Sequence, residues 1–120
     1  MQPPFDLTVE APGGYKAMLG VHGYVQNSGL YHGLLELVKL RVSQVNGCAF
    51  CLAMHVPLAR QAGVTDDQLN LLVAWREAPV FTCQERAALA WAVSDGSQLR
   101  RRARTDHQTI PCIDFRHQFD

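Results

Sequence analysis

Cys48 and Cys51 stand three residues apart in the run Asn46-Gly47-Cys48-Ala49-Phe50-Cys51-Leu52-Ala53-Met54-His55, and a histidine follows four residues after the second thiol. If Ala49 to Ala62 is helical, steps of about 100° per residue put all three side chains on one face, within about 60° of arc. Two sulfurs at that spacing can close a small disulfide ring, and a nearby imidazole can take or return a thiol proton. A thiol redox site is the leading reading. The Asn46-Gly47 break places Cys48 at the helix start, where free amides and the positive end of the helix dipole stabilise a thiolate. Helix-end electrostatics alone therefore favour Cys48 as the reactive sulfur, with His55 as general base or proton relay.

Other readings compete. Two buried cysteines can act simply as small hydrophobes. Zinc is the stronger rival: Cys48, Cys51 and His55 supply three ligands, with Glu36, Cys83 or Cys112 as a fourth. The firm zinc signatures pair two CxxC units, or CxxC with HxxxH, and neither is present. Glu36 shares a narrow polar strip with Lys39 and Ser43. On spacing alone it reads as a solvated carboxylate pairing with Lys39 at i,i+3. His107, Cys112 and His117 are interrupted by Pro111 and do not read as a ligand set. Trp75 and Trp91, among alanines and leucines at helical spacing, read as core.

The elements that must position these groups are helices. Residues 1–14 carry three prolines and a Gly-Gly pair and read as an irregular arm. From Tyr15, the apolar positions Met18, Leu19, Val21 and Val25 predict a short helix closed by Asn27-Ser28-Gly29. Leu30 to Val45 predicts a largely buried helix, with Leu34, Leu35, Leu37, Val38, Leu40, Val42 and Val45 leaving only the strip of Glu36, Lys39 and Ser43 polar. The cysteine helix should end at Gly63, with a kink at Pro57. Thr65-Asp66-Asp67-Gln68 and Thr82-Cys83-Gln84-Glu85 read as capping boxes opening two further helices. No segment alternates with period two, so an all-α fold is expected.

One hundred and twenty residues suggest one domain, and 48% apolar against 18% charged residues suggests a packed globule. Eleven basic and eleven acidic residues cancel, so charge gives no reason to expect nucleic acid or an anionic membrane as partner. No apolar run approaches the roughly 20 residues of a membrane span. The start Met1-Gln2-Pro3-Pro4-Phe5-Asp6 lacks the features of a secretory signal, and a cytoplasmic protein is expected. Beyond Ser94 the chain changes character: residues 96–120 hold five of the eleven basic residues, among them Arg100, Arg101, Arg102 and Arg104. The expected division is a helical domain over 1–95 and a basic tail over 96–120.

The stretch from Glu36 to His55 resembles the core motif of the AhpD-like alkyl hydroperoxidases, in the carboxymuconolactone decarboxylase superfamily. A glutamate stands twelve residues before the first cysteine, then CxxC, then histidine four after the second. Trp75-Arg76-Glu77-Ala78-Pro79 and Glu85-Arg86-Ala87-Ala88-Leu89-Ala90-Trp91-Ala92 are similar to the family's following helices. The resemblance implies a compact all-α bundle, with the part after the Trp91 helix atypical or truncated. It implies a peroxidase in which Glu36 and His55 relay protons to Cys51, the peroxidatic thiolate, and Cys48 resolves the sulfenic acid as a disulfide. It implies a small hydroperoxide substrate, a lipoyl-type or thioredoxin-like dithiol donor, a homo-oligomer, and no metal or organic cofactor. Decarboxylation does not rely on a CxxC pair and is not expected. Phe50 departs from the family branch that carries a second histidine between the cysteines. Two alternatives remain open: a small zinc module on Cys48, Cys51 and His55, and a non-catalytic assembly protein that retains the motif.

Overall fold

A computed structural model describes residues 6–94 of the chain. Among these residues six helices, α1 (Leu7–Glu10), α2 (Pro12–Gln26), α3 (His32–Asn46), α4 (Ala49–Gln61), α5 (Asp66–Leu71) and α6 (Cys83–Ala92), are joined by short turns, with a 3₁₀ turn at Leu72–Ala74. No strand occurs among the described residues. The fold is all-α. No described helix is long and apolar enough to cross a membrane. The basic cluster, His107, Cys112 and His117 lie outside the described residues, as does the expected boundary at residue 95.

Helix α3 is the spine. Gly33, Glu36, Leu37, Leu40 and Ser43 are its buried positions, spaced i, i+3, i+4, i+7 along one stripe. It packs most extensively on α4 and next on α6. Leu37, Leu40, Leu72 and Leu89 are the largest fully buried side chains, and Ala59, Val64, Trp75, Ala78 and Phe81 complete the core. Burial of this stripe supplies the main driving force for packing the three helices together.

The α3–α4 junction occupies only two residues. Gly47 adopts φ 63°, the left-handed region that a side chain with Cβ resists. In that conformation the Gly47 amide donates to Gln44 O (3.2 Å) and the Cys48 amide to Ser43 O (3.0 Å), closing the end of α3. Cys48 is then free to act as N-cap of α4. Pro57 lies inside α4, yet the helix continues to Gln61.

Both capping boxes form. Thr65 and Gln68 exchange side chain–backbone bonds at 3.1 Å each, and Thr82 and Glu85 do so at 2.8 and 3.2 Å. Gln68 Nε2 also donates to Glu85 Oε1 (3.3 Å), tying the two helix starts together in the interior. Between them the chain runs from Trp75 to Phe81 without regular structure, and Arg86 holds it. Its guanidinium donates to the carbonyls of Phe81 (3.2 Å), Trp75 (3.4 Å), Arg76 (2.6 Å) and Ala78 (2.5 Å).

Three expectations are corrected. The Gly13-Gly14 pair is helical, because Pro12 starts α2 at its first position and the missing amide there needs no partner. Val45, at the end of the helix expected to be largely buried, is exposed. Trp91 is 71% exposed, whereas Trp75 is buried. Periodicity marked the apolar side of α6, but only packing decides which apolar residues of a short helix meet a neighbour.

Candidate active site

Cys48 and Cys51 are joined as a disulfide, with Cα atoms 5.3 Å apart. That separation falls in the ordinary disulfide range, so helix α4 needs no distortion to accommodate the ring. The Cys51 amide donates to Cys48 Sγ (3.2 Å), as an N-cap hydroxyl would receive it in most helices. The cap therefore points an N–H at the Cys48 sulfur. On reduction, the same amide would stabilise a Cys48 thiolate.

One turn on from Cys51, His55 Nδ1 lies 2.8 Å from Glu36 Oε2. Glu36 is on the buried stripe of α3, and its side chain is only 8% exposed; that of His55 is 15% exposed. The other carboxylate oxygen, Oε1, accepts from Lys39 Nζ at 2.8 Å. Glu36 pairs with Lys39 as its spacing predicts, but it is buried rather than solvated, and it also bonds His55. The strip carrying Glu36, Lys39 and Ser43 is turned under α4 rather than out to water, while the Ser43 hydroxyl donates to Lys39 O. A carboxylate accepting at Nδ1 leaves Nε2 as the free basic nitrogen of a neutral imidazole. No hydrogen bond among the described residues joins His55 to either sulfur of the closed disulfide.

Among the described residues the zinc set does not assemble, and Cys112, a candidate fourth ligand, lies outside them. With the two sulfurs bonded to each other neither is a thiolate donor. No group of three or more His, Cys, Asp or Glu among the described residues is placed to hold a metal ion.

Beside Glu36 and His55 a cleft of about 750 Å³ opens between α2, α3 and α4. Leu19, His22 and Gln26 of α2 border it, with His32 and Lys39 of α3 and Met54 and Leu58 of α4. His32 Nε2 lies 3.1 Å from Gln26 O and closes the turn between α2 and α3. Sequence reasoning did not single out His22 or His32. The signal was available in part, since Leu19, His22 and Gln26 recur at i, i+3, i+7 along one side of α2. Phe50, between the cysteines, is 65% exposed and makes no part of the Glu36–His55 contact.

An all-α chain that sets a CxxC disulfide at a helix start, one turn before a histidine bonded to a buried glutamate, defines a thiol-bearing class of helical domain. The carboxymuconolactone decarboxylase family profile matches residues 12–94, and the chain belongs to that family, with the AhpD-like fold. It is 37% identical to ATU0492 of Agrobacterium tumefaciens, whose crystal structure superposes with a TM-score of 0.68 over 88% of this chain and 80% of that one. ATU0492 is a protein of unknown function for which an antioxidant-defence, AhpD-type role has been suggested. The uncharacterised YdfG of Bacillus subtilis is 43% identical over 79 residues, 66% of this chain and 54% of YdfG. The uncharacterised YnjA of Escherichia coli is 31% identical over 85 residues, 62% of this chain and 46% of YnjA. The chain thus spans about half the length of these curated relatives.

Proposed function

We propose that the protein is a thiol peroxidase that reduces small hydroperoxides through Cys48 and Cys51. The observation that carries this reading is the Cys48–Cys51 disulfide lying one helical turn from His55, whose ring is fixed by Glu36 at 2.8 Å. His55 Nε2 takes the Cys51 proton. The Cys51 thiolate attacks the hydroperoxide ROOH, the O–O bond breaks, and the RO⁻ leaving group takes the proton back from His55 as ROH. Cys51 is now a sulfenic acid. The Cys48 thiolate, held by the helix-end amide, attacks the Cys51 sulfur and expels hydroxide, which is protonated to water. A dithiol, of lipoyl or thioredoxin-like type, then reopens the disulfide. Attack at Cys51 would expel Cys48, the sulfur better stabilised as a leaving thiolate.

That assignment answers the conflict between helix-end electrostatics and the family resemblance. The N-cap position suits Cys48 to resolving and leaving, while the position one turn before His55 suits Cys51 to attack. No metal or organic cofactor enters the scheme. A homo-oligomer belongs to the same proposal. Helix α2 has no buried residue, and Met18 and Val21 on one stripe of it are each 66% exposed. A second copy of the chain would cover that stripe.

The test is a thiol titration of the reduced protein before and after one equivalent of tert-butyl hydroperoxide. The expected result is loss of two thiols per chain, restored by a dithiol. Cys51→Ser should abolish the reaction, whereas Cys48→Ser should allow one oxidation to a trappable sulfenic acid. Retention of both thiols in the wild type would sink the proposal.

A further inference from the structure

We propose that the cleft between α2, α3 and α4 is a binding site for an amphipathic carboxylate: an acyl chain of medium length with an anionic head. Its volume of about 750 Å³ suits a molecule of that size. Leu19, Met54 and Leu58 give it an apolar lining. Its polar lining is rich in donors. Lys39 spends one of three N–H groups on Glu36, and His22 makes no hydrogen bond among the described residues. The one carboxylate lining the cleft, Glu36, is engaged at both oxygens, by Lys39 and by His55.

A ligand complementary to this lining brings an apolar body and an acceptor-rich head. A cation would find no unengaged carboxylate. A wholly apolar molecule would take His22 and the remaining Lys39 N–H groups out of water with no new partner, which costs free energy. A carboxylate on an acyl chain meets both demands, its head accepting from His22 and Lys39 in charge-assisted bonds. Because His55 lines the same cleft, a hydroperoxide group on such a chain would lie at the proposed proton relay. That last step, which makes acyl hydroperoxides with a free carboxylate the preferred substrates, rests on the peroxidase reading; the binding site itself does not.

The experiment is calorimetric titration of the full-length oxidised protein, with the Cys48–Cys51 disulfide closed, using decanoate and separately decanol. Decanoate should bind about tenfold or more tightly than decanol, the factor expected of a hydrogen bond to a charged group. His22→Ala should cost decanoate most of that advantage and leave decanol unchanged, and His22→Gln, which restores a donor, should recover part of it. Leu58→Asp should abolish binding of both. Equal affinity for the two probes, indifference of decanoate to His22→Ala, or no binding at all would overturn the proposal. Wild-type turnover of tert-butyl hydroperoxide, which has no anionic head, reports the peroxidase reading separately. Decanoate binding without turnover keeps the cleft and removes the peroxide chemistry; turnover without decanoate binding does the reverse.

Discussion

Replacing Glu36 with glutamine keeps the volume and removes one property, the ability to accept at both ends. Glu36 Oε2 lies 2.8 Å from His55 Nδ1 and Oε1 2.8 Å from Lys39 Nζ. A glutamine has one carbonyl oxygen and one NH₂, so it can serve only one of these donors. The ammonium of Lys39 carries a full charge and accepts nothing, so the carbonyl should turn to Lys39. The NH₂ then faces His55 and donates to Nδ1. That forces the proton of a neutral imidazole onto Nε2, and the nitrogen that should take the Cys51 proton is no longer basic. Loss of a hydrogen bond to a charged group is worth about 1.5–3 kcal/mol, or roughly 10- to 150-fold in rate.

The geometry makes a sharper statement about the double variant. With Lys39→Met in place, nothing competes for the glutamine carbonyl, which can turn back to His55 and restore the tautomer. Glu36→Gln/Lys39→Met should therefore oxidise faster than Glu36→Gln alone, although Lys39→Met by itself removes a favourable contact from the wild type. The assay is the second-order rate of thiol loss under excess tert-butyl hydroperoxide, with thermal melts on each variant to establish that it is folded. A double variant as slow as the product of the two single effects would refute the tautomer argument. Glu36 would then act by charge alone.

Further expectations rest on local geometry. Gly47→Ala meets no neighbouring atom at its Cβ, so its cost should be that of the left-handed backbone alone, about 1–2 kcal/mol, read from denaturant unfolding. Arg86→Met leaves the Trp75, Arg76, Ala78 and Phe81 carbonyls without their guanidinium donor and should destabilise by about 2–4 kcal/mol, a drop of several degrees in Tm. Met18→Asp/Val21→Asp on the exposed stripe of α2 should shift the light-scattering mass of the assembly to that of one chain while leaving helix content by circular dichroism intact. An unchanged mass would place any interface elsewhere.

Much of this protein is legible in local sequence because the signals are themselves local. Gly47 ends one helix, Cys48 caps the next, and Thr65 and Thr82 open two more, each through bonds spanning only a few residues. The alignment of Cys48, Cys51 and His55 likewise follows from helical steps. Glu36 could not be read that way. Spacing assigned it to a polar strip beside Lys39, and its partnership with His55, nineteen residues away, came only from family resemblance. The tertiary structure decided it, because α4 folds back over α3 and turns that strip inward, where a carboxylate must find partners or be desolvated. The same holds for Trp91 and for the cleft: a sequence names the apolar and polar side chains, but which of them face a neighbour depends on contacts between helices that no local rule specifies.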